Sequence, residues 1–381
     1  MKRVLFIATV FRFLNFEKSD MNILQSMGYE IHTATNMYGE EWLQDDGSFE
    51  ELNLIKHQVD FDRTPFSKHS IKAYKQLKEI MNSMHFDIIH CHTPVAAAIA
   101  RLAAVNSRRH GSYVIYTCHG FHFNKKSSKV SWMLYYPIER VMANVTDMII
   151  TINNEDYNVI QKFNVLNKKY IPGVGVDVLS ISELYVDRKE VRRRLNVPED
   201  AFVILTIGEL SNRKNQMVIL RALNRLQNKS IFYIMCGTGT KYDEYRQFVL
   251  EHKLEKQVYF TGQLKHEQVM EISKCVDIGA IPSKIEGLGL AGIEILAAGK
   301  PLIGSNVQGI KDYLIDDVTG ISFHPDDVEA AGDAIIKLWK DSTFYEVCAN
   351  NALKVAKKFD ISVAKKEMQN IYREVDKKIR G

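Results

Sequence analysis

Residues 280–300, AIPSKIEGLGLAGIEILAAGK, combine carboxylates, glycines and a helix start in one stretch. An apolar run ends at Pro282, a turn with Gly287 and Gly289 follows, and a helical pattern then runs to Gly299. Glycine admits close approach of backbone to a ligand, and amides at a helix N-terminus attract phosphate. Glu286 lies in the turn and Glu294 eight positions on, so the pair can reach two parts of one extended ligand. Taken alone, the two acids also fit a dipole-stabilising N-terminal glutamate and a surface one; the glycine turn between them shifts the reading to function. A second stretch, residues 207–215 (IGELSNRKN), delivers Arg213 and Lys214 just after another apolar run. Two cations there can clamp a diphosphate, although an Arg-Lys pair alone is more often a solvated loop. A third, residues 236–240 (CGTGT), offers Gly237 and Gly239 after a further run. Three such loops together carry more weight than any one.

Two other constellations invite metal chemistry. His90, Cys91, His92, Cys118, His119 and His122 offer zinc-binding side chains, but HCH and CHGFH are not the spacings of a structural zinc site, and no metal is expected. Asp60-Phe61-Asp62 is a DxD pair of the kind that holds a metal–nucleotide, yet it follows no glycine-rich loop and reads as chance.

The elements that must position these groups follow from hydropathy. Near-continuous Val/Ile/Leu/Phe runs at residues 4–9, 31–35, 88–90, 113–117, 148–152, 203–208, 231–236, 258–261, 278–281 and 301–304 suit strands covered on both faces. Amphipathic stretches at 70–84, 94–109, 215–226, 241–251, 266–274 and 328–341 separate them. That alternation predicts βαβ units in parallel sheets, with ligands at the carboxyl ends of the strands. The segment YIPGVGVD, residues 170–177, has no period and marks a hinge. The expected domains are residues 1–172 and 178–358, with a final helix at 360–381 that can return to the first.

The chain has 381 residues, 46% hydrophobic and 25% charged, which is globular usage. Lys plus Arg is 50 against 46 for Asp plus Glu, a net charge of +4, which argues against nucleic acid as a partner. No apolar run reaches the roughly 18–20 residues of a membrane span. The opening MKRVLFIATVF has no small-residue cleavage site and reads as a buried strand. Five widely spaced cysteines read as reduced thiols in a cytoplasmic protein.

EGLGLAGIE, with Glu286 and Glu294 in an E-x7-E arrangement, resembles the donor-site signature of family 4 glycosyltransferases, retaining nucleotide-sugar enzymes of GT-B fold. GELSNRKN is similar to that family's glycine, Arg and Lys pattern, with Glu209 where Arg is usual and Arg213 as the replacement cation. TCHGFHF (residues 117–123), LYYPIER (residues 134–140) and IPGVGVD resemble its bacterial capsule and exopolysaccharide subgroup. The resemblance implies an α/β GT-B architecture, two Rossmann-like doubly wound domains facing a central cleft. It implies that Lys214, with Arg213, holds the pyrophosphate and Glu294 the ribose hydroxyls. Glu286 and His119 attend the donor sugar, and the amides of Gly287, Leu288, Gly289 and Leu290 meet the diphosphate and sugar. No metal or other cofactor is implied.

The expected reaction carries a hexosyl or N-acetylhexosaminyl unit from a UDP-linked donor to a lipid-linked saccharide at the inner membrane face. Between Asp87 and Glu139 there are no acids, while Arg101, Arg108, Arg109, Lys125, Lys126 and Lys129 are basic. With Phe121, Phe123, Trp132, Tyr135 and Tyr136 nearby, Arg108, Arg109, Lys125 and Lys126 form a candidate acceptor and anionic-membrane patch; solvated helix faces are the equal alternative. The rival functions are a GT-B epimerase or hydrolase, and a catalytically silent GT-B partner subunit.

Overall fold

The computed structural model describes residues 1–38, 47, 49–62, 67–124 and 127–380. The chain divides into two compact units, residues 1–174 with 362–381, and residues 175–361. In the first, β1 (Lys2–Val10), β2 (Tyr29–Asn36), β3 (Ile55–Gln58), β4 (Ile88–Cys91), β5 (Tyr113–Cys118), β6 (Met148–Thr151) and β7 (Asn167–Tyr170) form one sheet in the order β3-β2-β1-β4-β5-β6-β7. Every pairing in it is parallel. In the second, β8 (Phe202–Ile207), β9 (Ile231–Cys236), β10 (Val258–Gly262), β11 (Ile278–Ile281), β12 (Leu302–Ser305) and β13 (Gly320–Phe323) run parallel in the order β10-β9-β8-β11-β12-β13.

Each sheet is buried on both faces, as its sequence requires. Val4, Leu5, Phe6 and Ile7 are successive in β1 and all inaccessible to solvent. Leu5, Ile7, Ile89 and Val114 pack with Leu77, Ala96 and Ala100 from the helices Lys68–Ser83 and Pro94–Ala103. The C-terminal helix Ile361–Arg380 packs on the first sheet: Tyr372 reaches His90 of β4 at 2.9 Å, and Tyr29 of β2 donates to Asp376 at 2.8 Å. No helix among the described residues is long and apolar enough to cross a membrane.

The ten apolar runs are strands. The structure adds β3, β7 and β13, each at a sheet edge. Their sequences, IKHQ, NKKY and GISF, are four residues long and broken by polar residues or glycine, so they present no continuous apolar run. In each sheet the strand order reverses between two neighbours, β1 and β4 in the first and β8 and β11 in the second. The crevice beyond the carboxyl ends at such a reversal is where open α/β sheets take ligands.

Candidate functional site

In the second unit, the loops after β8 and β11 carry the residues singled out in the sequence. Asn215 sets the first loop: it has φ +59°, is buried, and donates to the carbonyls of Pro282 at 3.0 Å and Pro325 at 2.7 Å. Lys284 N donates to the Arg213 carbonyl at 2.8 Å, tying the two loops together. Lys214 Nζ then lies 2.6 Å from Glu286 Oε2, Arg213 Nη1 lies 3.3 Å from the same oxygen, and Ser283 Oγ donates to it at 3.1 Å. Burial by itself would raise the Glu286 carboxyl; Lys214 and Arg213 outweigh it and hold the group below the usual carboxylate range. The loop thus sets two cations on one buried carboxylate, which leaves a net positive charge at the strand ends. Glu209, in the usual Arg position, is exposed.

Glycine has specific tasks here. Gly289, at φ +84°, precedes the helix Leu290–Ala297, and a Cβ there would come within 2.9 Å of Glu286 Cγ and of the Tyr313 hydroxyl. That hydroxyl donates to the Gly289 carbonyl at 3.0 Å. A Cβ on Gly237 or Gly239 would overlap the carbonyl oxygen of Gly208 or Leu210. The CGTGT glycines therefore let that loop pack against GELS, with Leu210 N donating to the Thr238 carbonyl at 2.9 Å. Glu294 lies in the helix after the glycine turn, mostly buried; burial raises its carboxyl, and His266 Nδ1 is 3.9 Å away.

In the first unit, β4 and β5 are neighbours, with Cys91 opposite Tyr116, so His92 and His119 emerge just beyond their carboxyl ends. The 3₁₀ turn Phe11–Glu17 after β1 brings in Glu17, which the sequence reading did not single out. Glu17 Oε1 is 3.1 Å from His119 Nε2 and 3.4 Å from His92 Nδ1, and the two ring nitrogens are 3.3 Å apart. Glu17 and His92 are buried, and Glu17 Oε1 and His92 Nε2 make no hydrogen bond among the described residues. Phe13 sets its ring edge-on to His119, centroids 4.9 Å apart. A sequence signal existed: the only acid within the apolar FRFLNFE turn is an acid that must be partnered.

The other zinc-type side chains do not join this cluster. His90 bonds Thr117 Oγ1 at 2.8 Å and Tyr372, and burial, with His119 nearby, lowers its ring to about 3. Tyr372 also donates to Asp20 at 2.9 Å. Burial first, and then the neighbouring Glu17, raises the Asp20 carboxyl well above its usual range. Burial pushes the Cys91 thiol up to about 12 and the Cys118 thiol higher than usual, so neither offers a ready thiolate. Asp60 of the DxD pair is taken up by Lys72 at 2.5 Å and Gln58 at 2.9 Å.

The structure describes part of the basic–aromatic patch. Arg101 is fully buried, paired with Glu139 at 2.8 Å and stacked 4.1 Å from the Tyr116 ring. Arg108 is paired with Asp147 at 2.8 Å, Arg109 is exposed, and Lys125 and Lys126 lie outside the described residues. Phe121 and Phe123 are buried in the core, and partly buried Trp132 and Tyr136 pack on Phe123. The acids that neutralise these arginines come from outside the acid-free interval, at Glu139 and Asp147.

Residues 22–172 match the family described as Glycosyltransferase Family 4, and residues 187–355 match Glycosyl transferases group 1. A Bacillus subtilis (strain 168) protein provisionally named glycosyltransferase EpsD is 30% identical over 97% of this chain and 96% of its own. An Escherichia coli protein named UDP-Gal:alpha-D-GlcNAc-diphosphoundecaprenol alpha-1,3-galactosyltransferase is 25% identical over 80% of this chain and 79% of its own. Among solved structures, Anabaena Alr3699/HepE in complex with UDP and glucose superposes with a TM-score of 0.78 at 16% identity, covering 98% of this chain and 100% of that one. Two parallel Rossmann-like sheets, a GELSNRKN loop closed on EGLGLAGIE, and full-length similarity of this kind identify the chain as a member of the family 4 glycosyltransferases of GT-B fold.

Proposed function

We propose that this glycosyltransferase moves a hexosyl or N-acetylhexosaminyl unit from a UDP-linked donor to a lipid-linked saccharide, with retention, in capsule or exopolysaccharide synthesis. The observation that carries the donor half is the convergence of Lys214 and Arg213 on the glycine turn that holds buried Glu286. Lys214 and Arg213 exchange Glu286 for the donor diphosphate, Glu294 accepts the ribose hydroxyls, and Glu286 and His119 attend the sugar. As the bond from the anomeric carbon to the diphosphate oxygen breaks, charge develops on that oxygen. Fixed cations and the amides from Gly287 to Leu290 stabilise it without a metal ion. The acceptor hydroxyl adds on the face the diphosphate leaves and passes its proton to that diphosphate, so configuration is kept.

For the acceptor, the Escherichia coli relative is named for a diphosphoundecaprenol-linked sugar. Beside the basic patch read from the sequence, a second surface suits a lipid carrier. On the helix Lys129–Met142, Val130, Met133 and Val141 are exposed by 67%, 72% and 59% and share one face with exposed Pro137. Exposed Lys129 and Arg140 flank that stripe. Apolar contact flanked by cations suits an anionic bilayer, and this reading places the enzyme at the cytoplasmic membrane face.

Thermal denaturation with UDP, GDP, ADP and CDP, each with and without EDTA, tests the donor assignment. A ligand that binds only the folded state raises the midpoint by linkage. The expected result is a UDP-selective rise that survives EDTA. No rise with any of the four overturns the donor site.

A further inference from the structure

The Glu17–His92–His119 cluster brings three ligand-type atoms together beyond the strand ends: the two ring nitrogens lie within hydrogen-bond distance of each other, and Glu17 Oε1 faces both. Its three facing atoms form a nearly equilateral triangle with edges of 3.1, 3.3 and 3.4 Å. A zinc ion about 2.0–2.1 Å from each of its donors separates tetrahedral donors by about 3.3–3.4 Å. The triangle is therefore the face of a tetrahedron of that size. One carboxylate and two imidazoles also form a ligand set of borderline character, which prefers zinc-like divalent cations to magnesium or calcium. The second observation is Glu17 itself. Its carboxylate is 97% buried (3% exposed), and Oε1 points at both rings yet takes no hydrogen bond among the described residues. A buried oxygen left this way carries the desolvation penalty of an unsatisfied group, and a cation at the centre of the triangle would satisfy it. His119 is the partly exposed member, 16% accessible at its side chain, and gives the ion its way in.

We infer that Glu17, His92 and His119 form a three-ligand binding site for a zinc-class divalent cation, with the fourth position open to water on the His119 side. Three protein ligands and one exchangeable position describe a site that binds reversibly rather than a closed structural one. Binding of the ion does not depend on the reading of His119 as a donor-sugar residue, because it is measured without any sugar substrate. If that reading also holds, an ion on His119 Nε2 removes that nitrogen from the sugar, and zinc inhibits transfer.

The test uses the full chain, stripped with chelator and titrated with Co²⁺ as a spectroscopic probe, followed by Zn²⁺ displacement and elemental analysis. The expected result is one ion per chain, with the strong visible ligand-field absorption of four-coordinate cobalt, abolished by stoichiometric Zn²⁺. His119→Asn and Glu17→Gln should each weaken binding by more than roughly tenfold, the lower bound being what loss of even an outer-shell partner costs. His119→Asn alters a partly exposed ring and tests the site even where Glu17→Gln does not fold. Failure of the wild type to bind one ion saturably, or weak octahedral cobalt absorption, overturns the inference. So does wild-type affinity in His119→Asn. Loss of the UDP-induced midpoint rise with intact cobalt binding would instead count against the transferase site alone.

Discussion

Replacing Lys214 by Ala removes the nearer of two cations from a buried carboxylate. The Lys214 Nζ is 2.6 Å from Glu286 Oε2, with side chains only 16% and 11% accessible. Breaking a fully buried ion pair from one side costs about 3–5 kcal/mol, because the remaining charge is stranded. Here Arg213 at 3.3 Å and Ser283 at 3.1 Å stay in place, so a smaller loss of about 2–3 kcal/mol follows. For a unit spanning residues 175–361 that corresponds to roughly 4–12 °C in midpoint, at about 2–4 °C per kcal/mol. The donor should suffer more, since a preorganised cation on the leaving diphosphate contributes about 10²–10³ in rate. The decisive comparison is Lys214→Met with Glu286→Gln. The pair removes both charges, so calorimetry should show most of the stability restored, whereas kcat/KM for the nucleotide sugar stays at least about a hundredfold down. Normal turnover in Lys214→Ala would sink the diphosphate assignment. Recovery of turnover together with stability in the double variant would show that Lys214 and Glu286 are only structural counter-ions and that neither acts on the donor.

Two further outcomes can be checked. His90 is held neutral by burial at about 3 in the folded protein, against about 6.5 in an unfolded chain. Its contribution is complete above about pH 6.5 and falls as pH drops towards 3, because the unfolded state then binds the extra proton, at about 1.4 kcal/mol per pH unit. Urea denaturation of His90→Asn should have a flatter acid limb between about pH 6 and 4, and an unchanged slope refutes this account. Gly309→Ala would place a Cβ on the Gly287 carbonyl oxygen, so nucleotide-induced stabilisation should be lost while far-UV circular dichroism is kept.

The local physics of the chain was enough to determine its interior. Continuous apolar runs at residues 4–9, 203–208 and 278–281 are strands because a sheet covered on both faces leaves no polar alternation. Glycine-rich turns after those runs marked residues 207–215 and 280–300, since strand ends and helix starts are written in adjacent residues. The edge strands IKHQ, NKKY and GISF were not legible, because each is four residues long and broken by polar residues or glycine, with no continuous apolar run. Nor was the function of charge. Arg101 and Arg108 read as a basic surface until tertiary contacts supplied Glu139 and Asp147, 38 and 39 positions away. Gly237 and Gly239 read as ligand-facing, and only the structure shows the GELS backbone filling the space where a side chain would stand. The partners of Glu17 are not legible for the same reason: it meets His92 and His119 only because β1, β4 and β5 are neighbours in one sheet. Sequence fixes which groups are present and what each segment buries. Which charges meet depends on strand order, and strand order is set by long-range packing that no single segment encodes.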